Sequence, residues 1–490
     1  MKASTAILAL AATAVTASQY EGLRSEWLQN KITLKGLLRH TDNLQKFANQ
    51  NNHTRVFGSK GHRLTLDYIH KLVKDAGYEV TLQEFTAPYS EVTAEKLEVL
   101  GKGYEIGAMR STASTPAGGL TAPLILIPDT KGAAGCNNKS FAGLNLNGKI
   151  ALIERGSCAF NDKSVNAAKH GAVAAVIYNN SPGGLRGTLG NEGTSAIPTG
   201  GVSQEVGRAL IDLLKKGKVK ATIDIGELRE DRKTYNIIAE TKGGDPNHVI
   251  LLGAHTDSVR AGPGINDNGS GSSALLEVAY QFRDLRPRNK VRFGWWAGEE
   301  FGLLGSKHYV KTMGKADIDN VAVVLNFDMV ASPNYIIRTY NGDSSGLPVP
   351  AGSEVITKLF EDHFEAKDVV YESSVVPYSR TDVGPFAAVG IPSGGLDTGA
   401  EKIKTEEQAR KFGGKAGVAL DPCYHQACDT TENLAHYAFL VNARGIAHAL
   451  AVYSHDVSSV AKARASKAAP VKRPSVTSES ESDGCTLPDI

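Results

Sequence analysis

The sequence predicts an α/β protein whose mostly parallel sheet is flanked by helices, with a second, β-rich domain inserted into it. At 490 residues the chain is longer than one hydrophobic core usually organises, so we expect two domains. After residue 235, apolar strand-like runs alternate with helical patterns, which is typical of a parallel sheet covered on both faces. Between about residues 112 and 227, frequent glycines and short β-rich runs indicate the insertion.

The first seventeen residues are typical of a secretory signal peptide. Lys2 gives a positive start, residues 6–15 form an apolar run, and Val15-Thr16-Ala17 offers small residues for cleavage. The run is too short to span a bilayer. We therefore expect a secreted, extracellular protein whose mature chain begins near Ser18.

Composition and charge narrow the possible partners. The formal net charge is +2, so neither nucleic acid nor a membrane surface is an expected partner. In an oxidising compartment the five cysteines are candidates for disulfides rather than metal ligands. Sequons at Asn52, Asn138 and Asn179 are candidate glycosylation sites, whereas a fourth at Asn268 lies in a glycine-rich motif where a sugar would not fit.

The helices and strands before residue 235 are predicted from local patterns. Apolar residues at helical spacing predict a helix over 61–76, and alternation predicts a strand over 80–85. The insertion is predicted to contain one helix, 161–170, and the strands 124–127, 150–153 and 173–178.

The elements after residue 235 carry the parallel sheet. Continuous apolar runs predict the strands 249–254, 291–297 and 321–327. The intervening patterns predict the helices 272–286, 301–310 and 431–453, the last capped by Asp429 and Glu432. From residue 457 to 490 the chain has little to bury, so we expect disorder there.

Acids and histidines follow the ends of these three strands. His255-Thr256-Asp257 ends the first, Glu299-Glu300 follows the second, and Asp328 follows the third. A glycine-rich turn between the first two strands carries Asp267. Ligands of open α/β sheets bind outside the carboxyl ends of the strands, and converging carboxylates need a cation. With the later His425, this nitrogen and oxygen set suits zinc, with one carboxylate bridging two ions.

These motifs also resemble those of the co-catalytic zinc aminopeptidases, which include aminopeptidase Y and secreted bacterial leucyl aminopeptidases. The resemblance covers residues 235–453 and is carried by the segments His255–Ser258, Gly264–Gly271, Glu299–Ser306, Asn326–Met329, Ser393–Ala400 and Cys423–Asp429. It implies the zinc-exopeptidase fold, two zinc ions per chain and peptide substrates. It also implies that the protein removes N-terminal residues from peptides, mainly leucine and other apolar residues. The attacking group would be a water molecule activated between the two metals. We also expect a monomer.

The resemblance assigns roles position by position. Asp267 would bridge the metals, with His255 and Asp328 on one ion and Glu300 and His425 on the other. Asp257 would accept the second ring N–H of His255. Glu299 would be the general base, and Tyr424 would donate a hydrogen bond to the developing oxyanion.

Further assignments concern the surroundings of the site. A disulfide between Cys423 and Cys428 would hold Tyr424 and His425 in place. Arg380 is a candidate for substrate binding, although its reading as a surface cation is equally open. Members of the family commonly have Ser-Asp-His-x-Pro-Phe at this point, whereas this chain has Thr381-Asp382-Val383-Gly384-Pro385-Phe386. The missing histidine is not a metal ligand, so the difference puts the shape of the accepted substrate in doubt and leaves the ligand set intact.

The insertion resembles a protease-associated domain through residues 151–156 and 158–160, with Cys136 and Cys158 as a bridge within it. The predicted organisation is a signal peptide at 1–17, a catalytic domain at 18–110 and 228–456, an inserted domain at 111–227, and a disordered tail at 457–490.

Three other functions share parts of this pattern: a single-zinc glutaminyl cyclase, an inactive receptor-type relative, and a carboxypeptidase of related architecture. The complete set of five ligands together with Glu299 argues against the first two. The turn at residues 267–271 and the Cys423-Tyr424-His425 loop resemble the aminopeptidase branch, so we expect an aminopeptidase.

Overall fold

A computed structural model of the chain describes residues 17–129, 131–190 and 197–466, with side chains from residue 24 onward. The expected signal peptide (except residue 17), Cys485 and most of the expected tail lie outside the described residues. No helix in the described ranges combines the length and apolar character needed to cross a membrane.

The helices of the described residues are α1 (Ala17–Lys31), α2 (Leu34–Asn49), α3 (Lys60–Asp75), α4 (Phe160–Lys169), α5 (Gln204–Lys216), α6 (Gly269–Phe282), α7 (Leu304–Thr312), α8 (Lys315–Asn320), α9 (Ser353–Ala366), α10 (Val383–Ala388), α11 (Glu406–Phe412), α12 (His436–Tyr453) and α13 (Ser458–Ser466).

The strands are β1 (Glu79–Val99), β2 (Lys102–Tyr104), β3 (Gly107–Ala108), β4 (Leu120–Leu126), β5 (Lys149–Glu154), β6 (Ala172–Tyr178), β7 (Thr199–Val202), β8 (Lys220–Glu240), β9 (Asp245–His255), β10 (Asn289–Trp296), β11 (Val321–Phe327), β12 (Arg338–Asp343), β13 (Glu372–Val376) and β14 (Ser393–Asp397).

The chain divides into two compact units. Of the described residues, the first comprises those up to Ala87 and those from Arg232 onward, and the second comprises those from Pro88 to Asp231. The second unit therefore begins earlier than the predicted residue 111. The reason is that Leu97 and Val99, near the end of β1, are buried in the hydrophobic core of this unit.

The sheet of the first unit has the strand order β13-β12-β14-β11-β9-β10-β8. Strand β9 lies at its centre, parallel to β10 on one side and to β11 on the other, and β14 continues the parallel arrangement beyond β11. Strands β8 and β12 are antiparallel to their neighbours β10 and β14. The mostly parallel α/β sheet expected from the sequence is therefore confirmed.

Helices cover both faces of this sheet. Leu275 of α6 and Phe439 of α12 belong to the large core on one face, whereas Trp296, Tyr309 and Phe386 pack together on the other. The apolar runs of β9 and β11 read as continuous because these strands are covered on both sides.

Three predicted helices of the first unit begin several residues from where the sequence suggested, and one of them is α7, which starts at Leu304 rather than at residue 301. Helix α6 starts at Gly269, because the side chain of Asn268 caps it by accepting a hydrogen bond from the Gly271 N–H at 2.9 Å. The last long helix starts at His436, so Asp429 is not its cap.

The expected disorder from residue 457 is wrong for residues 458–466. These residues form helix α13, because Val460 is buried and joins the core of the first unit. One apolar side chain in a run of Ala, Lys and Ser was too weak a signal to find in the sequence.

In the second unit the strand order continues from β8 as β4-β5-β6-β7-β3, with β4, β5, β6 and β7 mutually parallel. A disulfide joins Cys136 to Cys158, as predicted. The predicted glycosylation of Asn179 is wrong, because this side chain is buried and its amide donates to the carbonyls of Gly183 and Gly184. Asn52 and Asn138 are exposed, so glycosylation there stays a prediction.

Candidate metal centre

The carboxyl ends of the three central strands bring the predicted acids and histidines to one edge of the sheet. His255 is the last residue of β9, and it lies opposite Trp296, the last residue of β10. Glu299 and Glu300 follow β10 in a short 3₁₀ turn, and Asp328 directly follows β11. The parallel register of neighbouring strands thus converts three separate motifs into one cluster.

Five of these side chains form two groups that share Asp267. In the first, Nε2 of His255 lies 3.4 Å from Oδ1 of Asp267 and 3.5 Å from Oδ1 of Asp328. In the second, Nε2 of His425 lies 3.1 Å from Oδ2 of Asp267 and 3.0 Å from Oε2 of Glu300. The two oxygens of Asp267 therefore face different groups, and within each group the ligand atoms lie within 4.8 Å of one another.

The donor set and its spacing fit zinc. Ligands about 2.0 Å from a tetrahedral Zn²⁺ are about 3.3 Å from one another, close to the separations observed here. Among the described residues, both ring nitrogens of His255, Oε1 of Glu300 and Oδ1 of Asp328 are buried without a hydrogen-bond partner. Buried polar atoms are rarely left unsatisfied, so this cluster is built for a bound cation.

The surrounding charges perturb the titration of these groups. Burial opposes protonation of His425, but the carboxylates of Glu300 and Asp267 outweigh it and raise the pKa of His425 to about 11. Burial first, and then the charge of Asp267, raise the pKa of Glu300 to about 7. Burial also raises the pKa of Glu299, with Asp382 and Asp328 adding to the effect. Without a cation the cluster holds protons, and cation binding must release them.

Asp257 has a different contact from the one expected. Its Oδ1 lies 3.6 Å from Nδ1 of His255, longer than a hydrogen bond. The same oxygen instead accepts hydrogen bonds from the backbone N–H groups of Gly298, at 2.8 Å, and Glu299, at 3.1 Å. Asp257 therefore fixes the backbone that carries Glu299, whose carboxylate lies 3.9 Å from Nε2 of His255.

A short disulfide loop carries two of the predicted site residues. Cys423 and Cys428 are joined, as expected, and His425 between them has a left-handed backbone with φ of 57°. The rings of Tyr424 and His425 are stacked with their centroids 3.7 Å apart. Arg380 reaches this loop, because it donates to the Tyr424 hydroxyl at 3.2 Å and to Glu401 at 2.7 Å.

Asp429 and Arg55 hold the segments of the site together, and neither role was predicted. The carboxylate of Asp429 accepts hydrogen bonds from the backbone N–H groups of Asn266 and Asp267, at 2.8 and 3.0 Å. It therefore ties the turn that carries Asp267 to the end of the disulfide loop.

Arg55 is fully buried, and its guanidinium donates to the backbone carbonyls of Thr256, Pro263 and Gly264. It joins the end of β9 to the same turn. A single arginine in a polar loop gives no sequence signal for such a role, whereas Asp429 at least belongs to the motif that carries His425.

The cluster opens into a cavity of about 480 Å³ within the first unit. Its floor contains Asp267, Glu299, Glu300, Asp328 and His425. Apolar side chains contribute to its walls, namely those of Met329, Val375, Val376, Pro377 and Ala400. Arg380, Thr381 and Tyr424 also line it. Two predicted site residues do not line the cavity: His255 is buried against Asp267 and Asp328, and Asp257 contacts the backbone of Glu299.

Comparisons with known proteins agree with this geometry. The profile of Peptidase family M28 matches residues 236–450, and that of the PA domain matches residues 120–210. Leucine aminopeptidase 2 of Trichophyton rubrum is 43% identical over 434 residues, which cover 88% of this chain and 86% of that protein. The probable leucine aminopeptidase 2 of Aspergillus fumigatus is 43% identical over 442 residues, with the same coverage.

Solved structures are similar as well. An aminopeptidase from Aneurinibacillus sp. strain AM-1 is 28% identical with a TM-score of 0.62, and the match covers 88% of this chain and 95% of that one. The zinc aminopeptidase BSAP from Bacillus subtilis is 25% identical with a TM-score of 0.59, covering 85% of this chain and 94% of that one.

Proposed function

Since the chain belongs to peptidase family M28, contains a PA domain and is a zinc metallo-aminopeptidase, we propose that it binds two zinc ions and removes leucine and other apolar residues from the amino ends of peptides. The observation that carries this proposal is the sharing of Asp267 between two ligand groups, each completed by one histidine and one carboxylate. Each ion would have three protein ligands, one histidine nitrogen and two carboxylates, so a coordination position on each would stay open for water or substrate.

Zinc ions held by these residues would supply Lewis-acid polarisation of the scissile carbonyl and lower the pKa of a bound water. Glu299 lines the cavity and is suited to take a proton from the attacking water and return it to the leaving amine. The contacts of Asp257 with the backbone N–H groups at 298 and 299 would keep this carboxylate in position.

Tyr424 and Arg380 would act on the other side of the substrate carbonyl. The Tyr424 hydroxyl accepts a hydrogen bond from Arg380, so its own proton is free to be donated to a developing oxyanion. The cation next to the hydroxyl favours that donation, since it stabilises negative charge on the phenol oxygen.

The cavity walls support the substrate preference. Apolar side chains such as Met329, Val376 and Pro377 line a space large enough for a leucyl side chain, and the acidic floor suits a cationic α-amine. We propose secretion from the apolar segment at residues 6–15 together with the two disulfides of the described chain.

The test compares leucyl-p-nitroanilide with its N-acetylated form and with a peptide blocked only at its carboxyl end. The proposal requires rapid cleavage of the first and third substrates and cleavage of the acetylated one at least a hundredfold slower. Equal rates for the free and acetylated leucyl substrates would refute an aminopeptidase. Loss of cleavage on blocking the carboxyl end would instead indicate a carboxypeptidase.

A further inference from the structure

An ion pair lies in the wall of the cavity at the metal centre. Nε of Arg338 donates to Oδ1 of Asp397 at 2.8 Å and Nη2 donates to Oδ2 at 2.9 Å, so the contact is bidentate. The two residues are register partners on the antiparallel strands β12 and β14. Both line the cavity, and only 16% and 10% of their side chains are exposed. The wall therefore contains two opposite charges that neutralise each other.

The sheet register places this pair beside the metal centre. Leu396 of β14 lies opposite Phe327 of β11. The residues that follow them, Asp397 and Asp328, therefore lie at the same level on neighbouring strands, which are about 4.8 Å apart in a sheet. Asp328 belongs to the first ligand group. Because the side chain of an N-terminal residue is attached next to the scissile carbonyl, it lies within reach of the ion pair when that carbonyl is at the metal centre.

The other charges of the wall are more exposed to solvent. Outside the metal-binding floor, the remaining charged side chains that line the cavity are those of Arg380, Glu401 and Lys402, and all three are exposed. Arg380 and Glu401 also form an ion pair, but 44% and 54% of their side chains are exposed. Water and salt screen charges in such positions, whereas charges in a largely buried pair act through a lower effective dielectric. The ion pair of β12 and β14 is therefore the wall charge that a substrate side chain meets most strongly.

We propose that Arg338 and Asp397 determine specificity, because their mutual neutralisation makes the cavity accept uncharged N-terminal side chains and reject charged ones. This inference rests on the proposed function and narrows its substrate class. A cationic side chain must compete with Arg338 for Asp397, and an anionic one must compete with Asp397 for Arg338. Both compete poorly, since the pair is held by two charge-assisted hydrogen bonds and the incoming charge loses its hydration. Asp397 is also fixed by the backbone N–H of Gly399, which donates to it at 2.9 Å.

The experiment compares p-nitroanilides whose N-terminal side chains match in length and differ in charge, namely lysyl with norleucyl and glutamyl with glutaminyl. For the wild type we expect kcat/KM to be at least about tenfold lower for the charged member of each pair. Arg338→Met leaves the Asp397 carboxylate without its cation and should raise the lysyl-to-norleucyl ratio of kcat/KM about tenfold. Asp397→Asn keeps an acceptor for Gly399 and should raise the glutamyl-to-glutaminyl ratio about tenfold. Each ratio is measured within one preparation, so differences in zinc content or folded fraction cancel.

Two control variants test whether charge is the cause. Arg338→Lys keeps the cation, so both ratios should stay within about twofold of the wild type. The double variant R338M/D397N removes both charges, so its lysyl-to-norleucyl ratio should return to within about threefold of the wild-type value.

Three results would overturn the proposal. They are a wild type that cleaves lysyl and norleucyl substrates equally, an R338M variant with an unchanged ratio, and a double variant whose ratio stays as high as that of R338M. If R338M does not fold, D397N decides alone, and an unchanged glutamyl-to-glutaminyl ratio in D397N contradicts the proposal. If the wild type cleaves neither the leucyl nor the norleucyl substrate, the proposed function itself has failed.

Discussion

The disulfide between Cys423 and Cys428 closes a very short loop, and replacing both cysteines by serine should weaken metal binding rather than simply lower stability. His425, inside this loop, holds a left-handed backbone that costs about 1–2 kcal/mol for a residue other than glycine. The bridge spans five positions, so the loop-closure model gives it about 2 kcal/mol of constraint. Without the bridge, zinc binding must supply that ordering free energy.

A loss of about 2 kcal/mol corresponds to roughly 30-fold weaker zinc binding at the position completed by His425. Competition with a fluorescent zinc chelator measures this directly, and the position completed by His255 should change much less. The double serine variant of Cys136 and Cys158 is the matched control, because that bridge belongs to the second unit and touches no ligand. Unchanged affinity at both positions, or an equal loss in the control, would refute the reasoning.

Two further perturbations follow from buried polar groups. Asp429→Asn removes one of the two oxygens that hold the turn of Asp267. The loss of this buried hydrogen bond should weaken zinc binding about tenfold in the same competition assay, whereas the exposed Asp456→Asn should not. The rings of His363 and His448 are stacked, and the burial of His363 and partial burial of His448 lower their pKa values to about 3 and about 4. Between pH about 4 and 6.5 only the unfolded chain protonates them, so stability falls with falling pH by up to about 2.7 kcal/mol per pH unit. Urea unfolding should show a shallower fall in the variant carrying His363→Gln and His448→Gln, and an unchanged slope would contradict this assignment.

Much of the site could be predicted because its chemistry lies next to strong local patterns. His255, Glu300 and Asp328 each follow an apolar strand, and parallel strands place their carboxyl ends together whatever the details of packing. Asp267 and His425 were candidates from the sequence, but only the resemblance assigned their individual roles, since neither a turn nor a short loop has a periodicity that specifies its position.

The residues that sequence reasoning missed act across long separations in the chain. Asp429 contacts backbone groups 162 and 163 residues away, and Arg55 contacts carbonyls more than 200 residues away. No local pattern encodes such pairs. The predicted glycosylation of Asn179 was wrong for a related reason, because a sequon identifies the acceptor residue but does not show whether it is buried. Helix α13 depends on a single buried valine, which composition could not distinguish from a disordered tail.

The most direct test of the two-zinc assignment with Glu299 as the base is to measure zinc content and leucyl-p-nitroanilide cleavage for the wild type and Glu299→Gln. Glutamine keeps the shape of the side chain but cannot accept the proton, so the variant should retain about two zinc ions per chain and lose at least a hundredfold in kcat. A wild type that binds one zinc ion or none when fully active, or a variant with two zinc ions and undiminished kcat, would contradict the assignment.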